Sequence, residues 1–393
     1  MAEDTGGGVE RRGFMIGSLA TVGASAALAA AARAQDGPPR PRASGGTVFT
    51  GDVVLGRPVI TALDAEALEP GRHHFYFQGV QGVAGHPWHV SVAVVKGARP
   101  GRRALLTSGV HGDEISAIRT VQLVLDALDP AAMDGTVTAV LDISRPALEG
   151  MARRWPSSGR GIDLVDMNRQ WPGRADGFSA ASRHAAALFE GVLRPNADFA
   201  IDFHTVATGM DGVAFHLADM TQPQVAEMAM LYPIDQILDG TGGYDGLLAN
   251  ALTAAGIPAF TPEIGRSRVL DLEMIPRFVE GTLNVLKHHG ILAGEMGRTG
   301  RDTGLVVSNA GVPVVATHGG LVELRVELGD PVEPGTPVAV QYDVFGEVVA
   351  EYASPVSGRV SVRRTDATCE PGTVLMFILA SVGGVEDEAV LPE

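Results

Sequence analysis

The sequence predicts an α/β domain, in which helices flank a sheet, followed by a small all-β domain. Two patterns indicate this fold class. Short β-branched runs alternate with longer stretches of helical periodicity over residues 47–290, and short Val-rich runs between turn residues follow over 291–393. The length of 393 residues is enough for about two domains, each with its own core.

The first 34 residues predict an export signal. Arg11 and Arg12 precede an apolar, small-residue stretch over 15–32, and Ala32-Arg33-Ala34 closes it. This order is typical of a twin-arginine signal peptide, so we expect the twin-arginine export machinery as a partner and a periplasmic or secreted protein. The alternative is a retained membrane anchor. Because the stretch is rich in Ala and Gly, it would hold a bilayer weakly, and we expect no stable membrane span after cleavage.

The α/β pattern begins after a leader rich in Pro, Gly and Arg. Strands interleaved with helices are typical of a sheet with helices on both faces. The predicted strands cover residues 91–95, 104–108, 137–143, 199–203 and 257–261, and the predicted helices cover 114–128, 180–193, 222–231 and 270–288. The predicted segments are a signal peptide, a flexible leader, an α/β domain with the candidate functional residues and a β-rich domain, over 1–34, 35–46, 47–290 and 291–393.

The β-rich segment has turn residues between short Val-rich runs, at a spacing of roughly 8–12 residues that is typical of a sandwich or barrel. Its segments 329–337 and 353–360 resemble the turns of a lipoyl-type barrel-sandwich fold. A carrier role for such a domain requires a lysine, and the last lysine of the chain is Lys287. We therefore predict a barrel-sandwich-like domain that carries no lipoyl or biotinyl group.

The composition argues against nucleic-acid binding and excludes sites built from several cysteines. The formal net charge of −16, from 46 acidic and 30 basic residues, argues against nucleic-acid binding, which requires a basic surface to neutralise phosphates. The single cysteine, Cys369, excludes an internal disulfide and a zinc or iron–sulfur site built from cysteines. The ligands of any bound metal must therefore come from the 11 histidines and the carboxylates.

Histidine and glutamate side chains follow two of the predicted strands. His111 and Glu114 come after the strand over 104–108, across a turn bracketed by glycines, and His204 comes directly after the strand over 199–203. Ligands of open α/β sheets bind beyond the carboxyl ends of the strands, so these side chains can converge as a zinc site of the His₂Glu type. Taken singly, each residue has a simpler explanation, such as a surface histidine near the start of a helix.

A second acid follows a third strand. Glu263 comes just after the strand over 257–261 and is not needed as a ligand, so it is the candidate general base for a metal-bound water. The alternative is a helix-capping or salt-bridging acid. Asp202, two residues before His204, is a candidate either to orient an imidazole or to serve as a structural acceptor.

A long polar loop contains the candidate anion-binding residues. It includes Arg153-Arg154-Trp155-Pro156 and the segment 163–173, in which Arg169 lies close to a second tryptophan. Guanidinium groups bind carboxylates through two parallel hydrogen bonds, so this loop is a candidate site for an anionic end of a substrate. The alternative is a solvated basic loop.

Together and in this order, the motifs resemble the succinylglutamate desuccinylase/aspartoacylase family, whose members are relatives of the zinc carboxypeptidases. The resemblance covers roughly residues 82–380. Its four segments are Gly109-Val110-His111-Gly112-Asp113-Glu114, Asp166-Met167-Asn168-Arg169-Gln170-Trp171-Pro172-Gly173, Asp202-Phe203-His204 and Thr261-Pro262-Glu263. The resemblance implies a mixed sheet like that of the zinc carboxypeptidases, followed by the β-rich domain that the family carries.

The resemblance also implies roles for the candidate residues. It implies that His111, Glu114 and His204 bind one Zn²⁺ per chain and that Glu263 is the general base. The expected reaction is hydrolysis of an amide bond by metal-activated water.

The family pattern implies that Asn168 and Arg169 hold a carboxylate of the substrate, and that a further arginine, Arg153, faces the scissile carbonyl. The interval between Arg153 and Asn168 is longer here than is usual in the family, with residues 157–160 apparently inserted. Arg154 and Arg160 therefore remain alternatives for the role given to Arg153.

We expect a small anionic N-acylated substrate, either an N-acyl amino acid or a related carboxylated amide. Tyr244, in a Gly-Gly-Tyr segment, is a further candidate for substrate binding. One alternative function is a periplasmic zinc carboxypeptidase that acts on peptides or cell-wall stem peptides. Another is a non-catalytic exported binding protein that retains the fold.

Overall fold

The computed structural model describes residues 46–156, 164–240 and 245–380. The predicted signal peptide, all but the last residue of the predicted leader, Arg160 and Tyr244 lie outside the described residues. Within the described residues, no helix is both long enough and apolar enough to cross a membrane.

The first half of the α/β part contains nine strands and three helices within the described residues. They are β1 (Val48–Val54), β2 (Arg57–Ala62), β3 (Gly71–Gln81), β4 (Pro87–Lys96), β5 (Arg99–Thr107), α1 (Ile115–Ala127), β6 (Asp134–Val140), α2 (Arg145–Glu149), β7 (Trp155–Pro156), β8 (Leu164–Val165), α3 (Ala180–Leu188) and β9 (Phe199–Asp202).

The second half follows with shorter strands. Its elements are β10 (His204–Val206), β11 (Met210–Gly212), β12 (Ala214–Ala218), α4 (Pro223–Ala229), β13 (Gln236–Asp239), α5 (Leu248–Ala254), β14 (Ala259–Arg266), α6 (Met274–His288) and β15 (Val306–Ser308).

A mixed sheet forms the centre of this part, which confirms the predicted fold class. The strand order is β1-β2-β3-β4-β6-β5-β9-β14-β12-β13-β15, and β10 pairs with β14 outside this path. β6, β5, β9 and β14 run parallel to one another. The carboxyl ends of these parallel strands therefore meet at one edge of the sheet, where the motif residues follow them.

Helices cover both faces of the sheet and bury two apolar cores. One core contains residues of α1, α4 and α6, such as Val121, Met228 and Phe278. The other contains residues of α3 and α5, such as Leu188 and Leu252. This arrangement confirms helices in the four predicted regions.

Two of the predicted helix boundaries differ from the observed ones by more than two residues. α6 begins at Met274 rather than at 270, and the Asp271 carboxylate accepts hydrogen bonds from the Glu273 and Met274 N–H groups in the turn that precedes it. α3 is α-helical only to Leu188 and continues as a π-helical turn over Phe189–Leu193. The pattern also missed β1 to β3, β12 and β13, of which β1 is almost entirely exposed and has no apolar alternation.

The remaining strands form the predicted C-terminal β-structure. They are β16 (Gly311–Val315), β17 (Gly320–Leu324), β18 (Pro331–Val332), β19 (Pro337–Tyr342), β20 (Val348–Ala353), β21 (Gly358–Arg364), β22 (Thr368–Cys369) and β23 (Val374–Ala380). β20-β19-β17-β22 form one sheet, and β21-β23-β16 form another, with β18 beside β21. A separate apolar core fills the space between them.

Two connections fasten the C-terminal β-structure to the α/β part. β11 pairs with β21, so a segment that lies between β10 and β12 in sequence extends the C-terminal sheet. β15 extends the large sheet at its edge beside β13, and β16 follows it directly. These two connections position the C-terminal strands next to β12 and β13.

We expect the free energy of unfolding to decrease as the pH falls below neutrality, because of His216. Its imidazole is buried among the rings of Tyr232, Phe260 and Phe278, and this burial lowers the pKa of His216 to about 3. An imidazole in an unfolded chain has a pKa of about 6.5. Between these two values the unfolded chain binds a proton that the native chain does not, which costs about 1.4 kcal/mol of stability per pH unit.

Urea unfolding at several pH values between about 7 and 5 measures this dependence. His216→Phe should reduce the slope of the unfolding free energy against pH by about 1.4 kcal/mol per pH unit, the contribution of one imidazole. His86→Phe, at an exposed histidine, is the control and should leave the slope unchanged. An equal slope in the wild-type protein and the His216→Phe protein would contradict the prediction.

Candidate active site

The turn after β5 positions the first two candidate ligands. Gly109 has a φ of +66°, a conformation that side-chain-bearing residues rarely adopt. At Gly112, a Cβ atom would lie 2.0 Å from the backbone carbon of Ala147, so only glycine fits there. The turn therefore passes close to α2 and directs His111 and Glu114 to the edge of the sheet.

His111, Glu114 and His204 form a buried cluster, each with at most 1% of its surface exposed. Nδ1 of His111 lies 2.7 Å from Oε1 of Glu114, and Nδ1 of His204 lies 2.8 Å from Oε2 of the same carboxylate. One ligand atom from each of the three residues lies within 4.8 Å of the others. The three predicted ligands are thus brought together, with the same nitrogen of each ring facing the centre.

Two aspartates hold the outer nitrogens of these rings. Nε2 of His111 lies 3.0 Å from Oδ1 of Asp166, and Nε2 of His204 lies 3.1 Å from Oδ2 of Asp202. Thr107 also donates a hydrogen bond of 2.6 Å to Asp202, so this acid both orients an imidazole and joins β9 to β5. Such outer partners fix the tautomer and direction of metal-binding histidines.

Asp166 was not among the residues predicted to form the site. The sequence indication for Asp166 is its position as the first residue of the motif segment 166–173. In the structure its carboxylate also accepts a hydrogen bond from the Asn168 N–H.

The electrostatics of the cluster favour an ionised carboxylate at its centre. Burial alone would raise the pKa of Glu114, but the neighbouring His111 and His204 outweigh it and hold that pKa well below its usual value. Burial likewise opposes the charged form of His204, yet Asp202 and Glu114 raise its pKa well above the usual value. A carboxylate that remains ionised is what a divalent cation requires of its ligand.

Glu263 lies beside this cluster and outside the group of three ligands. It is the register partner of His204 in the pairing of β10 with β14. Its carboxyl group lines the cavity at the cluster, yet Oε2 is buried and has no hydrogen-bond partner among the residues that the structure describes. Burial raises the pKa of Glu263 to about 7, and a cation on the ligand cluster would oppose this shift by favouring the ionised form.

Of the three candidate arginines, Arg153 reaches the cluster. Its Nη1 donates a hydrogen bond of 2.8 Å to Oε1 of Glu114, and its Nη2 lies 3.8 Å from Oδ2 of Asp166. Arg154 is exposed and is not among the residues that line the cavity. Arg160 lies outside the described residues.

The residues expected to hold the substrate carboxylate, Asn168 and Arg169, line the same cavity as His204. Nδ2 of Asn168 is 3.4 Å from Nε2 of His204, and Oδ1 of Asn168 accepts a hydrogen bond of 2.8 Å from the Leu248 N–H. Arg169 lines the same cavity, and its Nη1 donates a hydrogen bond of 2.7 Å to the Asn168 carbonyl oxygen. Tyr244 lies outside the described residues.

A cavity of about 460 Å³ opens onto the cluster. One end contains the ligands, Arg153, Asn168 and Arg169. The other end is lined mainly by apolar side chains, some of which belong to the C-terminal strands. Cavities of about 300–1,000 Å³ are the usual size for small-molecule sites, so this one fits a small organic molecule.

The residues of the cluster fit a metal ion. Two imidazole nitrogens and one carboxylate are the protein ligands of one class of catalytic zinc site. The rings are oriented by outer carboxylates, and Glu263, whose buried Oε2 has no partner within the described part of the chain, lies beside the candidate ligands. All of these groups line or support a single cavity.

The chain is similar in sequence to known proteins over the residues that form this site. Residues 100–289 match the succinylglutamate desuccinylase/aspartoacylase catalytic domain. An N-alpha-acetyl-L-2,4-diaminobutyric acid deacetylase of Halomonas elongata is 28% identical in an alignment of 306 residues that covers 74% of this chain and 85% of the relative.

Solved structures of this family have the same fold. A succinylglutamate desuccinylase from Silicibacter sp. TM1040 has 26% identity and a TM-score of 0.69, over 79% of this chain and 96% of that one. A succinylglutamate desuccinylase/aspartoacylase from Rhodobacter sphaeroides has 23% identity and a TM-score of 0.70, over 81% and 97%. Residues 100–289 of this chain are therefore similar to the succinylglutamate desuccinylase/aspartoacylase catalytic domain, and the chain has the fold of solved structures of that family.

Proposed function

We propose that this protein is a zinc-dependent deacylase that hydrolyses the amide bond of small N-acyl amino acids. The buried His111–Glu114–His204 cluster, with Glu263 beside it in one cavity, is the observation that carries this proposal. The three ligands would hold one Zn²⁺ per chain. When bound, zinc supplies a nucleophilic hydroxide at neutral pH and polarises the scissile carbonyl.

Glu263 moves the proton in this proposal. Its unpartnered Oε2 accepts a proton from the attacking water and then delivers it to the departing amine nitrogen. Arg153, whose guanidinium reaches the same centre, stabilises the negative charge that develops on the carbonyl oxygen. Asn168 and Arg169 bind the substrate carboxylate and so hold the scissile bond close to Glu263.

Two observations favour a small substrate over a peptide. Strands of the C-terminal β-structure line one side of the cavity, which limits the space beside the cluster. The Halomonas relative is named as a deacetylase of an acetylated amino acid, and it covers most of this chain.

Metal analysis and a hydrolysis screen test the proposal together. The purified protein should contain close to one zinc per chain, and it should release free amine from N-acyl amino acids faster than from peptides of similar length. Faster cleavage of peptides would favour the carboxypeptidase alternative. A protein that contains zinc but hydrolyses neither class would overturn the proposal.

Arg169→Gln should raise KM for N-acyl amino acids by about 10- to 100-fold with a smaller change in kcat, because a hydrogen-bonded charge is lost from substrate binding. The same variant should not affect hydrolysis of N-acyl amino acid amides, which lack the carboxylate. Steady-state kinetics on the matched acid and amide measures both. An equal rise in KM for the two substrates would show that Arg169 does not bind the carboxylate.

We also propose export by the twin-arginine route, on the basis of Arg11, Arg12 and the apolar stretch that follows. Cell fractionation of the full-length chain tests this, with Arg11→Lys/Arg12→Lys as the comparison. The wild-type chain should be found outside the cytoplasm and shortened by about 34 residues, as signal cleavage predicts. Equal distribution of both proteins would contradict export by this route.

A further inference from the structure

A strip of apolar side chains leads sideways from Glu263 along one face of the large sheet. Phe215 on β12 is the register partner of Glu263, and Leu217 lies two residues further on the same face of β12. Leu238 on β13 is in turn the register partner of Leu217, whereas the register partner of Phe215 is Gln236, whose Oε1 accepts a hydrogen bond from the Ser361 hydroxyl. Neighbouring strands lie about 4.8 Å apart, so the strip extends roughly 10 Å away from β14.

The C-terminal β-structure lies opposite this strip. Val362 on β21, with Phe377 and Leu379 on β23, lines the same cavity. Val362 packs in one apolar cluster with Phe215, and its strand is paired with β11 two residues before β12 begins. The strip on β12 and β13 forms the floor of this space, and the facing residues of β21 and β23 form its roof. The short chain segment from β11 to β12 connects the two.

The pairings of β14 give the direction in which a substrate lies. His204 on β10 and Phe215 on β12 are both register partners of Glu263, from its two opposite sides. Asn168 is on the side of His204, at 3.4 Å. If the proposed function holds, a substrate whose carboxylate is bound by Asn168 and whose amide faces Glu263 extends its acyl group over Phe215.

We infer that this space is an acyl slot for an apolar acyl group longer than acetyl. The acyl slot is defined by its floor and roof, Phe215, Leu217, Leu238, Val362, Phe377 and Leu379. An acetyl group would reach only the start of the strip beside Glu263, whereas a straight chain such as hexanoyl would extend along it. Each methylene that enters an apolar site from water gains about 0.8 kcal/mol, which corresponds to about fourfold.

The charge at the outer end of the slot disfavours a succinyl group. Asp239 follows Leu238 on β13 and also lines the cavity, where its Oδ1 accepts a hydrogen bond of 2.8 Å from the Met220 N–H. A succinyl group would bring a second carboxylate towards Asp239, and like charges repel. A neutral acyl chain has no such cost.

A series of substrates that share one amino acid tests the slot. The kcat/KM should rise by roughly fourfold per methylene from acetyl through butyryl to hexanoyl, and succinyl should be hydrolysed more slowly than butyryl, which has the same number of carbons. Acetyl or succinyl as the best substrate would overturn the acyl slot and leave the proposed deacylase function intact.

A binding measurement keeps the two proposals separate. Calorimetric titration of zinc-loaded Glu263→Gln protein with N-hexanoyl and N-acetyl forms of one amino acid needs no turnover. Hexanoyl should bind at least tenfold more tightly. Equal affinities for the two compounds would overturn the acyl slot. If the wild-type protein hydrolysed none of the series, that result alone would reject only the proposed function.

Gly311 offers a variant that fills the slot without backbone strain. A Cβ atom there would meet the two Cδ atoms of Leu238 at 3.7 Å, which is ordinary contact. Gly311→Val should therefore lower the ratio of hexanoyl to acetyl kcat/KM by tenfold or more. Gly319→Val is the matched control, since its Cβ would meet only the Cys369 carbonyl oxygen at 3.8 Å, and it should keep the wild-type ratio.

Leu238→Phe provides an independent second variant if Gly311→Val fails to fold. It narrows the slot from the floor and should lower the same ratio. Wild-type ratios in the folded slot variants would show that the acyl group binds elsewhere.

Discussion

Replacing Glu263 by glutamine should lower kcat for an N-acyl amino acid by about 10²- to 10⁴-fold, the usual contribution of a general base. Glutamine has nearly the same shape but cannot accept and return a proton. Since Glu263 lies outside the group of three ligands, the variant should still bind one zinc per chain. Measurement of kcat together with zinc content separates loss of proton transfer from loss of metal.

Glu351→Gln is the matched control, because Glu351 is exposed on β20, far along the chain from the cluster. It should keep wild-type kcat and zinc content. Two results would contradict the assigned role. If Glu263→Gln kept wild-type kcat, another group would have to transfer the proton, and if it lost its zinc, Glu263 would be needed for metal binding.

The sequence predicted the convergence of the ligands because they follow parallel strands. β5 and β9 are adjacent and parallel, so the residues just after them must come close whatever the length of chain between them. The Gly-bracketed turn before Glu114 also left little freedom of position. Fold class and the meeting of His111, Glu114 and His204 thus followed from local pattern and strand adjacency.

The choice among neighbouring arginines could not be predicted in this way. Arg153 and Arg154 are adjacent and chemically identical, and only the path of the chain before β7 points the first at Glu114 and the second at solvent. Asp166 was missed for a related reason. Its role depends on one contact with His111, 55 residues away in sequence.

The acyl slot could not be predicted from the sequence, because its residues have the same apolar pattern as residues of a buried core. Leu217 and Leu238 are apolar residues on short strands, and a pattern cannot tell a side chain that lines a cavity from one that packs against a helix. Their role follows from the register of β12 with β13 and from the position of Val362, more than 100 residues further on.

Replacing Glu114 by glutamine should abolish stoichiometric zinc binding, the second large effect we expect. Glu114 supplies the anionic ligand of the cluster, and it also accepts a hydrogen bond of 3.2 Å from the Thr205 N–H. The glutamine amide oxygen can keep a backbone hydrogen bond but brings no charge. Zinc then has two neutral imidazoles in place of the His₂Glu set, which is a much weaker site.

Thermal unfolding measures this loss without any substrate. A ligand that binds only the native state at 100 times its Kd adds about 2.7 kcal/mol of stability, so zinc should raise the Tm of metal-free wild-type protein by several degrees. Glu351→Gln should show the same increase, and Glu114→Gln should show almost none. An equal increase in all three proteins would mean that zinc binds elsewhere, and the His111–Glu114–His204 cluster would then be a buried hydrogen-bond network rather than a metal site.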